Sequence, residues 1–179
     1  NYKVQFIPIP VTAPMGKVKS GLVTLTRYQP KQVTRHDFPG KYPWPKSIFM
    51  LDRCFMVACL SLNKYKDLLI VNTHNSAYDD GQLKKQEMNY LRSFLITEYK
   101  KGNYIVAGGD WNQSPPGTSD DTEFKHNDKV NQVSMISKNF MPAGWKWIFD
   151  PAIPTNRALN KPFNNSTETR ILDFFLISP

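Results

Sequence analysis

The stretch Ile105 to Pro115, IVAGGDWNQSP, carries an apolar strand into two glycines and then into polar residues. Glycines let a chain turn sharply where it leaves a buried strand. If the stretch stays extended, Asp110 and Asn112 point to the same side, so that a carboxylate and an amide face one ligand. Such a pair suits a hard cation or a phosphate oxygen, and an Asx-type turn is the structural alternative.

Two other apolar segments carry polar residues of the same kind. Residues 69–75, LIVNTHN, bring Asn72 and His74 to the end of a buried strand, where an imidazole can protonate a leaving oxygen or have a structural role. Residues 171–178, ILDFFLIS, place Asp173 inside an apolar strand. Alternation predicts that Asp173 starts a core face, and a buried carboxylate needs a partner, either an imidazolium or a backbone cap.

The segment between the first two polar sites has a helical period. Its apolar residues are spaced three and four apart: Met88, Leu91, Leu95 and Tyr99. This spacing predicts a helix over residues 82–101 that rests on a sheet. Asp79 and Asp80 suit its amino end, and Gly102 suits its carboxyl end.

Short segments rich in β-branched and aromatic residues predict strands at residues 2–9, 21–26, 53–62, 68–73, 104–107 and 171–178. A short polar turn separates residues 53–62 from residues 68–73, which predicts an antiparallel hairpin. Strands combined with a helix in this order predict a layered α/β class.

Two long stretches, residues 27–52 and 113–145, lack a predicted strand, although a short helix is predicted at residues 129–137. Loops of this length in a compact domain are usually functional or disordered. The first predicted strand is expected to be closed by three prolines: Pro8, Pro10 and Pro14.

The composition bounds the functions that such a chain can have. Its 179 residues are 40% hydrophobic, enough for one domain with a core, and the formal charge is +8. This charge favours an anionic partner or, alternatively, only solubility. No run of apolar residues is long enough for a transmembrane segment. Cys54 and Cys59 are five residues apart on one strand, so they are expected on opposite faces and unpaired.

Together, the strings LIVNTHN, IVAGGDWNQSP and RILDFFLIS, with a helix between the first two, resemble the endonuclease/exonuclease/phosphatase superfamily of metal-dependent phosphoesterases. Residues 20–28, SGLVTLTRY, and Arg53 also resemble positions in that family. The resemblance implies a four-layered α/β sandwich with two packed, mostly antiparallel sheets flanked by helices. It covers residues 1–179 as a single partial domain, incomplete at both ends.

The resemblance also implies a role for each polar residue. His74 would hydrogen-bond the scissile phosphate, Asp110 would orient or deprotonate the attacking water and touch a metal ion, and Asn112 would hold the phosphate and the metal. Asp173 would orient a second histidine. The expected reaction is in-line attack on phosphorus with Mg²⁺ or Mn²⁺. Contacts from Arg53 and Asn72 to the substrate phosphate are also expected.

The chain departs from the family pattern at two places. Residues 1–19 contain no glutamate that could be the principal metal ligand, and no Ser-Asp-His string follows Asp173. We therefore expect a fragment of a complete enzyme, with little activity of its own. The alternative is a non-catalytic binding or scaffold module that keeps the phosphoesterase fold.

The substrate is left open between nucleic acid, a phospholipid headgroup and a phosphomonoester, and the compartment and oligomeric state are also open. A nucleic-acid substrate is suggested by basic residues along one loop region: Arg27, Lys31, Arg35, Lys41 and Lys46. A lipid surface is suggested by aromatic and proline residues in the same region: Phe38, Tyr42, Pro43, Trp44 and Pro45. Trp111 is expected to be a packing residue.

Overall fold

The computed structural model describes residues 3–13, 16–48, 50–77, 81–118, 133–159 and 162–179. These residues form ten strands, the α-helix α1 (Gln82–Lys100) and a short 3-10 helix, Lys46–Ile48. The strands are β1 (Lys3–Ala13), β2 (Gly16–Thr26), β3 (Gln32–Asp37), β4 (Cys54–Ser61), β5 (Asp67–His74), β6 (Tyr104–Asp110), β7 (Lys146–Ile148), β8 (Asn156–Arg157), β9 (Thr169–Arg170) and β10 (Asp173–Ile177).

Six strands form the main sheet in the order β3-β4-β5-β6-β10-β7. The β5–β6 pair is parallel and the other pairs are antiparallel. The predicted hairpin is confirmed as β4–β5, and its turn is closed by the Asn63 side chain, which accepts hydrogen bonds from the N–H groups of Tyr65 and Lys66. Helix α1 makes the crossover that two parallel strands require.

Helix α1 packs on one face of the main sheet. The buried residues of this core come alternately from four strands and, at helical spacing, from α1: Phe55, Val57, Leu69, Val71, Ile105, Ala107, Phe174, Leu176, Met88, Leu91 and Leu95. Leu91 and Leu95 have no exposed surface, and burying each such side chain contributes roughly 1.5–3 kcal/mol. The predicted apolar stripe of the helix is therefore confirmed, and Gly102, with φ 95°, ends the helix as expected.

A second sheet, the β1–β2 hairpin, lies on the opposite face of the main sheet. Leu22 of β2 packs with Cys54 and Met56 of β4. The Asn72 amide nitrogen of β5 donates to the carbonyl oxygen of Val23 at 2.9 Å. The α/β class with two packed sheets is thus confirmed, and within the described ranges its helical layer consists of α1.

Strand β1 does not end at its prolines, contrary to the sequence prediction. It runs to Ala13, with Pro8 opposite Gly21 and Pro10 opposite Lys19. A strand with one neighbour tolerates proline because the missing N–H can be on its unpaired side.

The stretch of residues 27–52 contains a strand that the sequence pattern did not predict. Strand β3 is polar apart from Val33 and forms the edge of the main sheet, where side chains stay partly in water. Phe38 and Tyr42, expected in an exposed loop, are buried.

The prediction of a short helix at residues 129–137 is also wrong for the part of it that the structure describes. Residues 133–137 are not helical, and Met135 instead bridges to Ser114. Its first four residues lie outside the described residues, as do Asp79 and Asp80 at the predicted start of α1.

The two cysteines are free and lie on opposite faces of β4, as predicted. Cys54 packs toward β2, whereas Cys59 packs against the core under α1. In the part of the chain that the structure describes, no helix combines the length and the apolar character needed to cross a membrane.

His36 on β3 gives a prediction about stability and pH. Its ring stacks on Phe55 with centroids 4.8 Å apart, and burial lowers the pKa of His36, opposed by the smaller effects of Glu98 and Asp37. Because the unfolded chain binds this proton near pH 6.5, the stability due to neutral His36 is present above about pH 6.5 and is lost as the pH falls toward the lower folded pKa.

We expect the His36→Phe variant, which keeps the ring stack, to lose less stability than the wild type between about pH 7.5 and about pH 5. The free energy of unfolding, measured by urea denaturation at both pH values, checks this. Equal losses in the two proteins would contradict it.

Candidate functional site

The pairing of three strands brings His74, Asp110 and Asp173 side by side. Strands β5 and β6 are parallel, so their carboxyl ends meet at the same edge of the sheet, with His74 opposite Asp110. Strand β10 starts at that edge and runs antiparallel to β6, with Asp173 opposite Asp110. Residues directly opposite one another share a face, and this is the face that β2 covers further along the sheet.

His74 and Asp110 are in direct contact. The Nε2 atom of His74 lies 3.5 Å from Oδ2 of Asp110, with the two side chains 39% and 30% exposed. Burial and, to a smaller extent, the positive charge of Arg53 lower the pKa of His74 to about 4, opposed by the negative charge of Asp173. Burial also raises the pKa of Asp110. The contact therefore joins an imidazole that is neutral at neutral pH to a carboxyl group of increased basicity.

The chain turns immediately after Asp110 and does not stay extended through Asn112, so of the two alternatives the structure has the Asx-type turn. Asn112 has a φ of 48°, and its N–H donates to Oδ1 of Asp110 at 2.9 Å in an Asx-type turn. The Asn112 side chain then donates from Nδ2 to the carbonyl oxygen of Asn75 at 2.8 Å. The turn thereby holds the Asn112 amide beside the end of β5.

Gly109 allows the close approach of β5 and β6 at the site. Its φ is 136°, and a Cβ atom there would lie within 3.1 Å of three backbone atoms of Thr73, the residue before His74. Only glycine fits at this position without moving the strand that carries His74.

Asp173 is exposed, which corrects the prediction that it starts a core face. Phe174 and Leu176 face the core, whereas Phe175, on the same side as Asp173, is 54% exposed. Thr155 holds this strand start, because its hydroxyl oxygen accepts from the N–H groups of Leu172 and Asp173 at 2.9 Å and 3.0 Å. Partial desolvation and then the charge of Asp110 raise the pKa of Asp173.

Two cationic side chains affect the pKa of Asp110. The charges of Arg53, which precedes β4, and of Lys84, buried on α1, both oppose the rise in the pKa of Asp110. The Arg53 Nε is buried and has no hydrogen-bond partner among the described residues. A buried donor without a partner is uncommon, which makes Arg53 a candidate for contact with an anion at the site.

Asn72 lies on the same face as His74, but its amide nitrogen is used in sheet packing. It donates to the Val23 carbonyl oxygen and, at 3.3 Å, to Oγ1 of Thr24. Its phosphate contact stays a prediction, as do the catalytic roles of the other residues.

Sequence reasoning did not identify several residues that support the site: Asn75, Ser76, Lys84, Glu87 and Thr155. A signal for two of them was present. Lys84 and Glu87 occupy positions of the apolar stripe of α1, where an uncharged residue is expected. Charged residues at core positions need a partner, which points to a polar environment under the helix.

Among the described residues, no group of three or more His, Cys, Asp and Glu side chains could hold a metal ion. Asp110 and Asn112 offer one carboxylate and one amide oxygen. Mg²⁺ is often held by one or two carboxylates with waters and substrate phosphates, so this donor set fits an ion that is shared with a substrate.

No protein-family model matches the chain, and neither does any curated protein. Solved structures do match its fold. An endonuclease/exonuclease/phosphatase family protein from Leptotrichia buccalis C-1013-b has a TM-score of 0.60 and 12% identity, covering 100% of this chain and 61% of that one. Truncated Caenorhabditis elegans TDP2 has a TM-score of 0.57 and 14% identity, covering 99% and 62%.

ANGEL2, described as a 2',3'-cyclic phosphatase, matches with a TM-score of 0.57 and 13% identity over 99% of this chain and 62% of its own. At such identities the likeness establishes the fold, which is that of the endonuclease/exonuclease/phosphatase proteins. The chain spans less than two thirds of the length of each of these three proteins.

Proposed function

We propose, from the endonuclease/exonuclease/phosphatase fold of this chain, that it carries part of the active site of a metal-dependent phosphoesterase. The reaction would be hydrolysis of a phosphodiester or phosphomonoester by in-line attack of water. The observation that supports this proposal is the convergence of His74, Asp110, Asn112 and Asp173 at one edge of the main sheet, beside the unpaired donor of Arg53.

In this mechanism the environment of each side chain suits the role that we propose for it. Arg53 would bind a phosphate oxygen through its guanidinium group. His74, which is neutral at neutral pH, would donate a hydrogen bond from its ring N–H to the phosphate. The raised pKa of Asp110 makes its carboxylate a stronger base toward the attacking water. Asn112 would steady a phosphate oxygen without adding negative charge.

Asp110 and Asn112 are the residues that would hold Mg²⁺ or Mn²⁺, together with oxygens of the substrate. When bound, such an ion neutralises charge on the phosphate oxygens.

Of the substrate classes, nucleic acid is favoured over a lipid surface. Of the aromatic residues that suggested a lipid surface, Phe38 and Tyr42 are buried and cannot reach a membrane, whereas Trp44 is 80% exposed. The basic residues there are partly neutralised, since Lys31 pairs with Asp67 and Arg35 with Asp37. The +8 charge of the chain still favours a polyanion.

Binding of inorganic phosphate tests the proposed site. We expect saturable shifts of the backbone amide signals of residues 109–112 in an NMR titration, and about tenfold weaker binding in Arg53→Lys, because lysine lacks the guanidinium fork. Lys64→Ala is the matched control: it removes a charge from the exposed β4–β5 turn and should leave the affinity unchanged. Shifts that spread over surface lysines without saturating would sink the proposal.

Hydrolysis separates an enzyme from a binding module. We expect slow, Mg²⁺-stimulated hydrolysis of bis(p-nitrophenyl) phosphate, reduced by about a hundredfold or to background in Asp110→Asn. Initial rates with added Mg²⁺ or with a chelator measure this. Phosphate binding without any Asp110-dependent hydrolysis would instead favour the non-catalytic module.

A further inference from the structure

A carboxylate is buried under the loop that follows β5. Glu87 on α1 is 1% exposed, and it accepts hydrogen bonds from the Ser76 N–H at 2.8 Å and from the Ser76 hydroxyl at 2.6 Å. Ser76 is also 1% exposed. These two hydrogen bonds tie the main chain at residue 76 to the helix.

Asn75, the residue before Ser76, connects the Glu87–Ser76 hydrogen bonds to the site. Asn75 has no exposed surface, and its N–H donates to the Asp110 carbonyl oxygen at 3.0 Å. Its own carbonyl oxygen accepts from the Asn112 side chain at 2.8 Å. Its Oδ1 accepts from the hydroxyl of Thr73 at 2.6 Å. A shift of the main chain at residue 75 would therefore disturb Asp110 and Asn112 together.

We propose that Glu87 is a positioning residue: through Ser76 and Asn75 it sets the main-chain position of Asp110 and the side-chain position of Asn112. That these two residues act on a phosphoester rests on the proposed function. The linkage from helix to site rests only on the hydrogen bonds.

The desolvation cost of burying Glu87 favours a role in hydrogen bonding to the loop over a role in packing alone. Glu87 occupies a stripe position of α1 next to Met88, where an apolar side chain would fill the same space without a desolvation penalty. What the carboxylate adds is two hydrogen bonds to one residue of the loop. Removing it would leave two buried donors of Ser76 unsatisfied, so we expect the loop to open until these donors reach water.

Amide hydrogen exchange measured by NMR tests the linkage without using activity. In Glu87→Ala we expect exchange at the backbone N–H groups of residues 75, 76 and 112 to quicken by about tenfold relative to that of Leu95, a reference in the same helix. Glu87→Gln keeps an acceptor and should restore most of the protection. Leu91→Val is the matched control, because it destabilises α1 at a buried position without touching the loop.

The proposal is overturned if the exchange ratios in Glu87→Ala equal those in Leu91→Val. If Glu87→Ala does not fold, Ser76→Ala is informative, since it removes the hydroxyl and keeps the backbone N–H. Unchanged exchange at residues 75 and 112 in Ser76→Ala then overturns the proposal. Failure of the proposed function has a different signature: the wild type would bind no phosphate while the exchange ratios still changed as expected.

Discussion

Gly109→Ala is expected to destabilise the protein by about 4 kcal/mol or more, or to prevent folding. The added Cβ would clash with the Thr73 carbonyl oxygen, and φ at this position is 136°. The clash is with backbone, so it can be relieved only by separating β5 from β6, the two strands that carry His74 and Asp110. Urea denaturation followed by circular dichroism measures the loss.

The control is Gly102→Ala, at the carboxyl end of α1. Gly102 also has a positive φ, 95°, but nothing lies within 4 Å of a Cβ added there. We expect a cost of about 1–2 kcal/mol, which is that of the backbone conformation alone. Similar losses of unfolding free energy in the two variants would show that the close approach of Thr73 to Gly109 adds no cost beyond that of the positive φ.

The second large effect is expected at Trp111. Trp111→Ala should cost about 3–5 kcal/mol, because the indole is fully buried and stacks on Phe174 with centroids 5.4 Å apart. The indole Nε1 also donates to the Phe174 carbonyl oxygen at 3.0 Å, so β10 loses an anchor next to Asp173. The free energy of unfolding from chemical denaturation checks the magnitude.

Two further variants separate the contributions of the indole. Trp111→Phe keeps a stacking ring and loses the hydrogen bond, so we expect an intermediate cost of about 1–3 kcal/mol. Trp44→Ala removes an indole that is 80% exposed, and its effect should stay within about 0.5 kcal/mol. An equal loss at Trp44 and Trp111 would contradict the assignment of Trp111 to the core.

The elements with a strong local pattern were predictable from the sequence. Helix α1 was predicted to within one residue of its end, and the β4–β5 hairpin followed from its short turn. Strand β3 was missed, because an edge strand whose one aliphatic residue is Val33 has no hydrophobic alternation.

The site was predictable in its residue types and less so in its geometry. Asp110 and Asn112 were singled out together, but the positive φ of Asn112 and its bond to Asn75 depend on where β5 ends. Asp173 was assigned to the wrong face, because alternation gives the period of a strand and not which of its two faces meets the core.

The sequence by itself determined the helix, the central strands and the three polar segments, because these follow from periodicity and turn chemistry within a few residues. Only the tertiary structure decided that His74, Asp110 and Asp173 are neighbours in register and that Glu87 reaches the loop behind them. Strand order and register are set by contacts between residues far apart in the chain, and no local pattern encodes which strand lies beside which.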